Sequence, residues 1–242
     1  MKEIRRNGRR LMTIMLVILG LTIPATSFIQ ADDDPHPRVV PPNSRPFGLT
    51  YGEWSARWVQ WALAIPTPDN PILDTTGADC AVGQRGPVWF LAGTFGTTVT
   101  RHCTVPEGKA IFFPIVNAFC FPPPADVAQL RADCRDLMNQ VANLSASVDG
   151  VPIRDLTNVL TTRFRVVSPV FSFRVPADNI LEIGGPQTVQ PAVDDGVFIM
   201  LRPLPDGRHV IRFHGELPAF GFMLDVTYHI RVREHDDDDD ND

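Results

Sequence analysis

The residues best equipped for chemistry in this chain are four aromatics, three histidines and four cysteines. Tyr51, Trp54, Trp58 and Trp61 step by three, four and three, so on a helix they form one stripe. Such a stripe either stacks on a flat ligand, a sugar ring for example, or docks its helix onto a core. Val59, Leu63 and Ile65 leave few alternatives for a core-facing side, so docking is favoured and ligand binding by the four aromatics is the sharper alternative. His209, His214 and His229 fall in the last two predicted strands. If those strands pair antiparallel, His214 and His229 share a face with Arg212 and Arg231. Glu216 or Asp225 would then complete a minimal metal or acid–base site. A divalent metal there is the one cofactor the sequence suggests; otherwise none is expected, and a histidine on an exposed strand face commonly does neither job.

Cys80, Cys103, Cys120 and Cys134 form no C-x-x-C pair, which disfavours zinc and leaves disulfides. Four cysteines permit three pairings. Cys80–Cys103 with Cys120–Cys134 is preferred because it closes two short loops, each worth roughly 3 kcal/mol in the chain-entropy model.

Other catalytic patterns are missing. No G-x-S-x-G, S-x-x-K or H-E-x-x-H occurs, and Gly184-Gly185-Pro186 reads as a turn, not a phosphate cradle. A copper site built on an N-terminal histidine needs that residue at the mature terminus, whereas the preferred cleavage point leaves Asp32 there. Glu53, Glu107, Glu182 and Glu216 are the only glutamates between leader and tail, and none forms an evident acid–base pair. Asp194-Asp195-Gly196 reads as a turn before a strand.

The elements that must position these residues are mostly strands. Thr50 and Glu53 form a capping box that opens a helix, and Pro66 closes it. A second helix fits 125–141, where Val127, Leu130, Cys134, Leu137, Met138 and Val141 share a face. Strand patterns run over 88–94, 97–104, 110–116, 163–168, 170–175, 197–201, 208–214 and 223–233, and Asp149-Gly150 marks a hairpin. In the last strand Val226, Tyr228, Ile230 and Val232 alternate with polar residues, so one face is buried and one wet. Short strands at this spacing predict a mainly β fold, an antiparallel β-sandwich of jelly-roll or Ig-like type carrying two helices. The domain spans 49–233, behind a Pro-rich leader at 32–48.

Three stretches add a resemblance. Tyr51-Gly52-Glu53-Trp54-Ser55-Ala56-Arg57-Trp58-Val59-Gln60-Trp61, then Gly86-Pro87-Val88-Trp89-Phe90-Leu91-Ala92-Gly93, then Cys103-Thr104-Val105-Pro106 with Gly108-Lys109-Ala110, resemble an uncharacterised family of exported bacterial proteins. Asp149-Gly150-Val151-Pro152 and the closing Asp225-Val226-Thr227-Tyr228-His229 match as well. The resemblance covers about residues 47–233. It implies an exported globular domain and carries over no activity and no functional residue.

The ends speak for export too. Lys2, Arg5, Arg6, Arg9 and Arg10 precede an apolar run over 11–23, the layout of a signal peptide ending near Ala31. Of 22 basic and 28 acidic residues, removing 1–31 takes five basic and one acidic, leaving 17 against 27. The excess sits in Asp32, Asp33 and Asp34 and in the acidic tail 234–242, which cannot pack into a core. The neutral body gives no reason to expect nucleic acid as a partner or stable membrane insertion of the mature chain. Three functions remain. The leading one is an exported, periplasmic or extracellular sandwich that binds a small molecule, glycan or envelope partner. The second is a secreted hydrolase or metal-dependent enzyme acting on an extracellular polymer. The third is a structural surface or assembly subunit.

Overall fold

The computed structural model describes residues 38–123 and 126–233. The expected signal peptide, most of the leader before residue 38 and the acidic tail lie outside the described residues.

Helix α1 (Tyr51–Ala64) starts where the capping box requires. The Thr50 N–H donates to Glu53 Oε2 at 2.7 Å, and the Glu53 N–H donates to Thr50 Oγ1 at 3.2 Å. The bonds it accepts from the Thr50 N–H and the Thr50 hydroxyl hold the Glu53 carboxyl below its usual range. Helix α2 (Val127–Met138) is shorter than the periodicity suggested and is capped by Asp126, which accepts from the Gln129 N–H at 2.9 Å.

The strands are β1 (Val88–Phe90), β2 (Thr98–Pro106), β3 (Ala110–Cys120), β4 (Ala142–Val148) and β5 (Val151–Pro152), followed by β6 (Arg165–Val167), β7 (Phe171–Val175), β8 (Gln187–Leu201), β9 (Gly207–Leu217) and β10 (Phe222–Arg233). They make two sheets. In sheet A the order is β1-β3-β8-β6, with β7 also paired to β8; in sheet B it is β2-β10-β9-β4-β5.

The result is mainly β and sandwich-like, but it corrects the antiparallel expectation. β1 runs parallel to β3, and β2 runs parallel to β10. The reason is the path of the chain. After β1 it leaves sheet A to build β2 in sheet B, then re-enters sheet A in the original direction as β3. Strand patterning reports which face is buried, and it carries no record of which neighbour a strand will take.

Three layers follow from this order. Phe113, Ile115 and Ile199 of sheet A meet Phe213, Val226 and Tyr228 of sheet B in the central core, where the Phe113 and Phe213 rings stack at 5.0 Å. The other face of sheet A, with Phe112, Phe198 and Met200, is covered by α1. Buried on both sides, β8 reads Val197-Phe198-Ile199-Met200-Leu201 without alternation. Among the described residues no helix covers the outer face of sheet B, and β2 alternates exposed and buried along its length. Part of the predicted leader is also tied down, since Val39 bridges to Leu201.

Both expected disulfides form, Cys80–Cys103 and Cys120–Cys134, each with Cα atoms 5.9 Å apart. They fit an oxidising, extracellular or periplasmic compartment. Among the described residues no helix is long and apolar enough to cross a membrane.

Candidate functional site

The aromatic stripe is core. Tyr51, Trp54, Trp58 and Trp61 are all buried, none above 8% exposed. Their polar atoms are already engaged: the Trp54, Trp58 and Trp61 indoles donate to the carbonyls of Pro46, Leu91 and Val82 at 2.9–3.0 Å. The Tyr51 hydroxyl donates to the Val40 carbonyl and accepts from the Met200 N–H. No open stacking platform is left, because these rings are what fasten α1 to sheet A.

The three histidines do not gather. His214 lies opposite Asp225 on the outer face of sheet B, with Nε2 3.0 Å from Glu216 Oε1 and Nδ1 3.5 Å from Asp225 Oδ2. His229 is four residues further along β10, about 13 Å away at the strand rise, and its ring stacks on His102 at 4.9 Å. His209 points elsewhere, to Asp149 at 2.7 Å and to the Pro205 carbonyl at 2.9 Å. Among the described residues no group of three or more His, Cys, Asp or Glu is placed to hold a metal ion.

What the fold does build is an apolar cleft where α1 meets one end of both sheets. Trp58, Val59, Ala62 and Leu63 of α1 form one wall. Ile115, Val116, Asn117 and Phe119 of β3 form the floor, and Phe222 and Leu224 of β10 close the far side. The mouth is the loop Gly93-Thr94-Phe95, where the Phe95 ring is 53% exposed. The cleft encloses about 100 Å³. A cavity of about 150 Å³ accepts benzene, so this one suits a few carbon atoms of a larger ligand.

A β-bulge shapes the floor. Pro114 pairs with Phe198 and Val116 with Val197, so Ile115 is an extra residue in β3. Before the bulge odd residues face the central core; after it the phase is reversed, and Asn117 is delivered to the α1 side. Gly196 is its cross-strand partner, and a Cβ there would collide with Asn117 and the Phe198 ring.

Asn117 connects the cleft to a buried acid. Its Nδ2 donates to Asp194 Oδ1 at 2.7 Å, while Asp194 Oδ2 has no hydrogen-bond partner. Burial pushes the Asp194 carboxyl up to about 7, with the bond from Asn117 opposing the rise and the neighbouring Asp195 adding to it. Asp195 points the other way and takes two bonds from the Arg165 guanidinium, at 2.9 and 2.8 Å. The pair read as a turn is therefore the middle of a 15-residue strand, one carboxyl on each face.

Arg101 holds the mouth in place. It is buried in the central layer, and among the described residues it meets no carboxylate; it donates only to main-chain carbonyls and one phenol. Its Nη1 reaches the carbonyls of Ala92 and Gly93 and the Tyr228 hydroxyl, while Nη2 reaches the Ile72 carbonyl. Two loops are thereby clamped to the core, one ending at the cleft residue Ile72 and the other carrying Gly93-Thr94-Phe95. Tyr228 completes the clamp by donating to the Ala92 carbonyl at 3.0 Å, and burial raises its phenol above the ordinary range.

None of Arg101, Asn117 or Asp194 was picked out by residue type or motif. Only Arg101 carries a signal that parity could have found. It sits between the inward-facing Val99 and Cys103 of an alternating strand, which points a cation at the core. The chain matches no family model, no curated protein and no solved structure.

Proposed function

We propose that this is an exported binding protein that holds the apolar end of a ligand, such as the tip of an alkyl chain, in the cleft between α1 and β3. The observation that carries the reading is the cleft itself. Its walls are almost wholly hydrocarbon, its mouth presents an exposed phenylalanine, and one amide stands on its floor, the usual make-up of a small-molecule site. Asn117 offers that amide to whatever polar atom follows the apolar group, and the half-buried Asn117 oxygen takes no bond among the described residues. The signal-peptide pattern at 1–31, the two disulfides and the resemblance to exported bacterial proteins support a site of action at the cell envelope or outside the cell.

The test is titration with decanoate and decanol, followed by the fluorescence of the cleft residue Trp58 against a Trp58→Phe control. Saturable binding is expected, weakened about tenfold, or about 1.4 kcal/mol, by Phe95→Glu at the mouth. No saturable response, or an unchanged affinity in Phe95→Glu, would refute the cleft as the site.

A further inference from the structure

The cleft between α1 and β3 offers a ligand few side-chain groups to bond with. Among the described residues no side chain lining it is charged, and three are polar. Two of these are already engaged. The Trp58 indole donates to the Leu91 carbonyl at 2.9 Å. The Thr94 hydroxyl donates to the Thr97 carbonyl at 3.1 Å and accepts from the Thr97 N–H at 3.0 Å. That leaves Asn117.

Which end of the Asn117 amide meets a ligand follows from the order of the strands. The cleft is lined from α1, β3, β10 and two loops, and β8 contributes nothing to it among the described residues. Asp194 stands on β8, on the same face of the sheet as Asn117, and accepts from Asn117 Nδ2 at 2.7 Å. The nitrogen is therefore drawn towards β8, and the oxygen at the opposite corner of the amide is turned to the cleft. The Arg165 guanidinium gives no help here, since it is bound to Asp195 on the other face. An amide oxygen accepts and does not donate. An ether or carboxylate brought against it leaves acceptors facing each other, and the carboxylate also brings a charge with no lining cation to meet it. A hydroxyl supplies the missing hydrogen. Because the cleft encloses only about 100 Å³, that hydroxyl must follow the apolar tip by a few carbon atoms.

We propose that Asn117, oriented by Asp194, selects ligands in which a hydroxyl follows a short apolar tip, and turns away carboxylates and ethers of similar shape. This selectivity rests on the cleft being the ligand site, and it names the class of ligand as an alcohol. Asp194 acts only through Asn117 and is a positioning residue.

The test starts from decanol bound to the wild-type chain and read by Trp58 fluorescence. Its displacement at pH 8 is measured with pentanol, with butyl methyl ether (the isomer lacking the O–H) and with pentanoate. Pentanol is expected to displace decanol about tenfold more effectively than either, the cost of leaving a buried acceptor unpaired. In Asn117→Leu that preference should vanish. In Asp194→Asn the Asn117 amide can turn either end to the cleft, so the preference for pentanol over the ether should fall; a merely structural role for Asp194 would leave the ratio unchanged. The wild-type ligand series decides even where a variant fails to fold. Absence of saturable decanol binding would refute the cleft itself. Saturable decanol binding with the short ligands equal, with none displacing it, or with the ether or pentanoate ahead, would overturn the selectivity and leave the cleft standing. A preference for pentanol that survives in Asn117→Leu would overturn it too, since another group would then be the acceptor.

Discussion

Sheet A and sheet B are built from similar strands and end in opposite circumstances. Sheet A is covered on both faces, by sheet B on one side and α1 on the other, and its polar groups are few and deep. Among the described residues sheet B is covered on one face only, and its other face holds arginines and histidines at the surface. The apolar cleft belongs to the edge of sheet A, and the exposed arginines belong to sheet B. Chemistry therefore follows cover: hydrocarbon and a buried acid where water is excluded, exposed cations where water remains.

The sharpest way to break this contrast is Arg101→Met. Among the described residues Arg101 is the one cation buried on the inner side of sheet B, and its removal orphans the carbonyls of Ile72, Asp74 and Gly93, while Tyr228 and Ala92 keep each other. A loss of about 3–5 kcal/mol in urea unfolding is expected, together with loss of alkyl binding, because buried groups left unpaired are costly. An unchanged unfolding midpoint would show that the two loops hold themselves.

Removing the disulfides tests whether cover matters to the crosslinks. Cys80–Cys103 ties a loop to sheet B, and Cys120–Cys134 ties α2 to sheet A, closing separations of 23 and 14 residues. Each paired Cys→Ala variant should lose about 3 kcal/mol, the longer loop slightly more. A gap between them well beyond that difference, measured by denaturant midpoints, would mean that the sheets' surroundings and not loop length set the values.

The smallest effect is the pH dependence of the covered sheet. Asp194 keeps its proton in the folded chain up to about pH 7, while the unfolded chain releases it near the ordinary carboxylate value of 3.8. The native state therefore binds more protons in between, and stability must fall as pH rises from about 4 to 7. The slope from this group is on the order of 1 kcal/mol per pH unit. In Asp194→Asn that component should disappear from midpoints measured across this range. A variant that keeps the wild-type slope would place the titration elsewhere.

How much of this was legible depended on whether the signal was local. The capping box, the two disulfides and the alternation in β10 each involve neighbours in sequence or a single strand, and all were readable. The aromatic stripe was readable as a stripe, and its burial followed from how little else α1 offers a core. β8 was mostly missed because Pro191 and the run Asp194-Asp195-Gly196 carry turn chemistry, which long pairing with β3 overrides. The cleft was invisible because it depends on a bulge at Ile115, on a clamp reaching from Arg101 to Ile72 and Ala92, and on the meeting of α1 with β10. The pairing of Arg208 with Arg231 was hidden differently: the two are 23 positions apart, and only the register of β9 on β10 sets them face to face.

The parallel pairing of β2 with β10 has a consequence for how the chain comes to be folded at all. Thr98 pairs with Asp225 and Pro106 with Arg233, so every contact of that ladder spans 127 positions. Contacts that distant are slow to form, and this one waits for the last structured strand of the chain. A polypeptide still emerging from a ribosome or a translocation channel has β2 in hand with no neighbour to accept it. Sheet B stays open until the residues up to 233 have arrived. The same delay leaves two bare strand edges, β2 and β9, on any chain cut short before residue 222, and such edges recruit other chains.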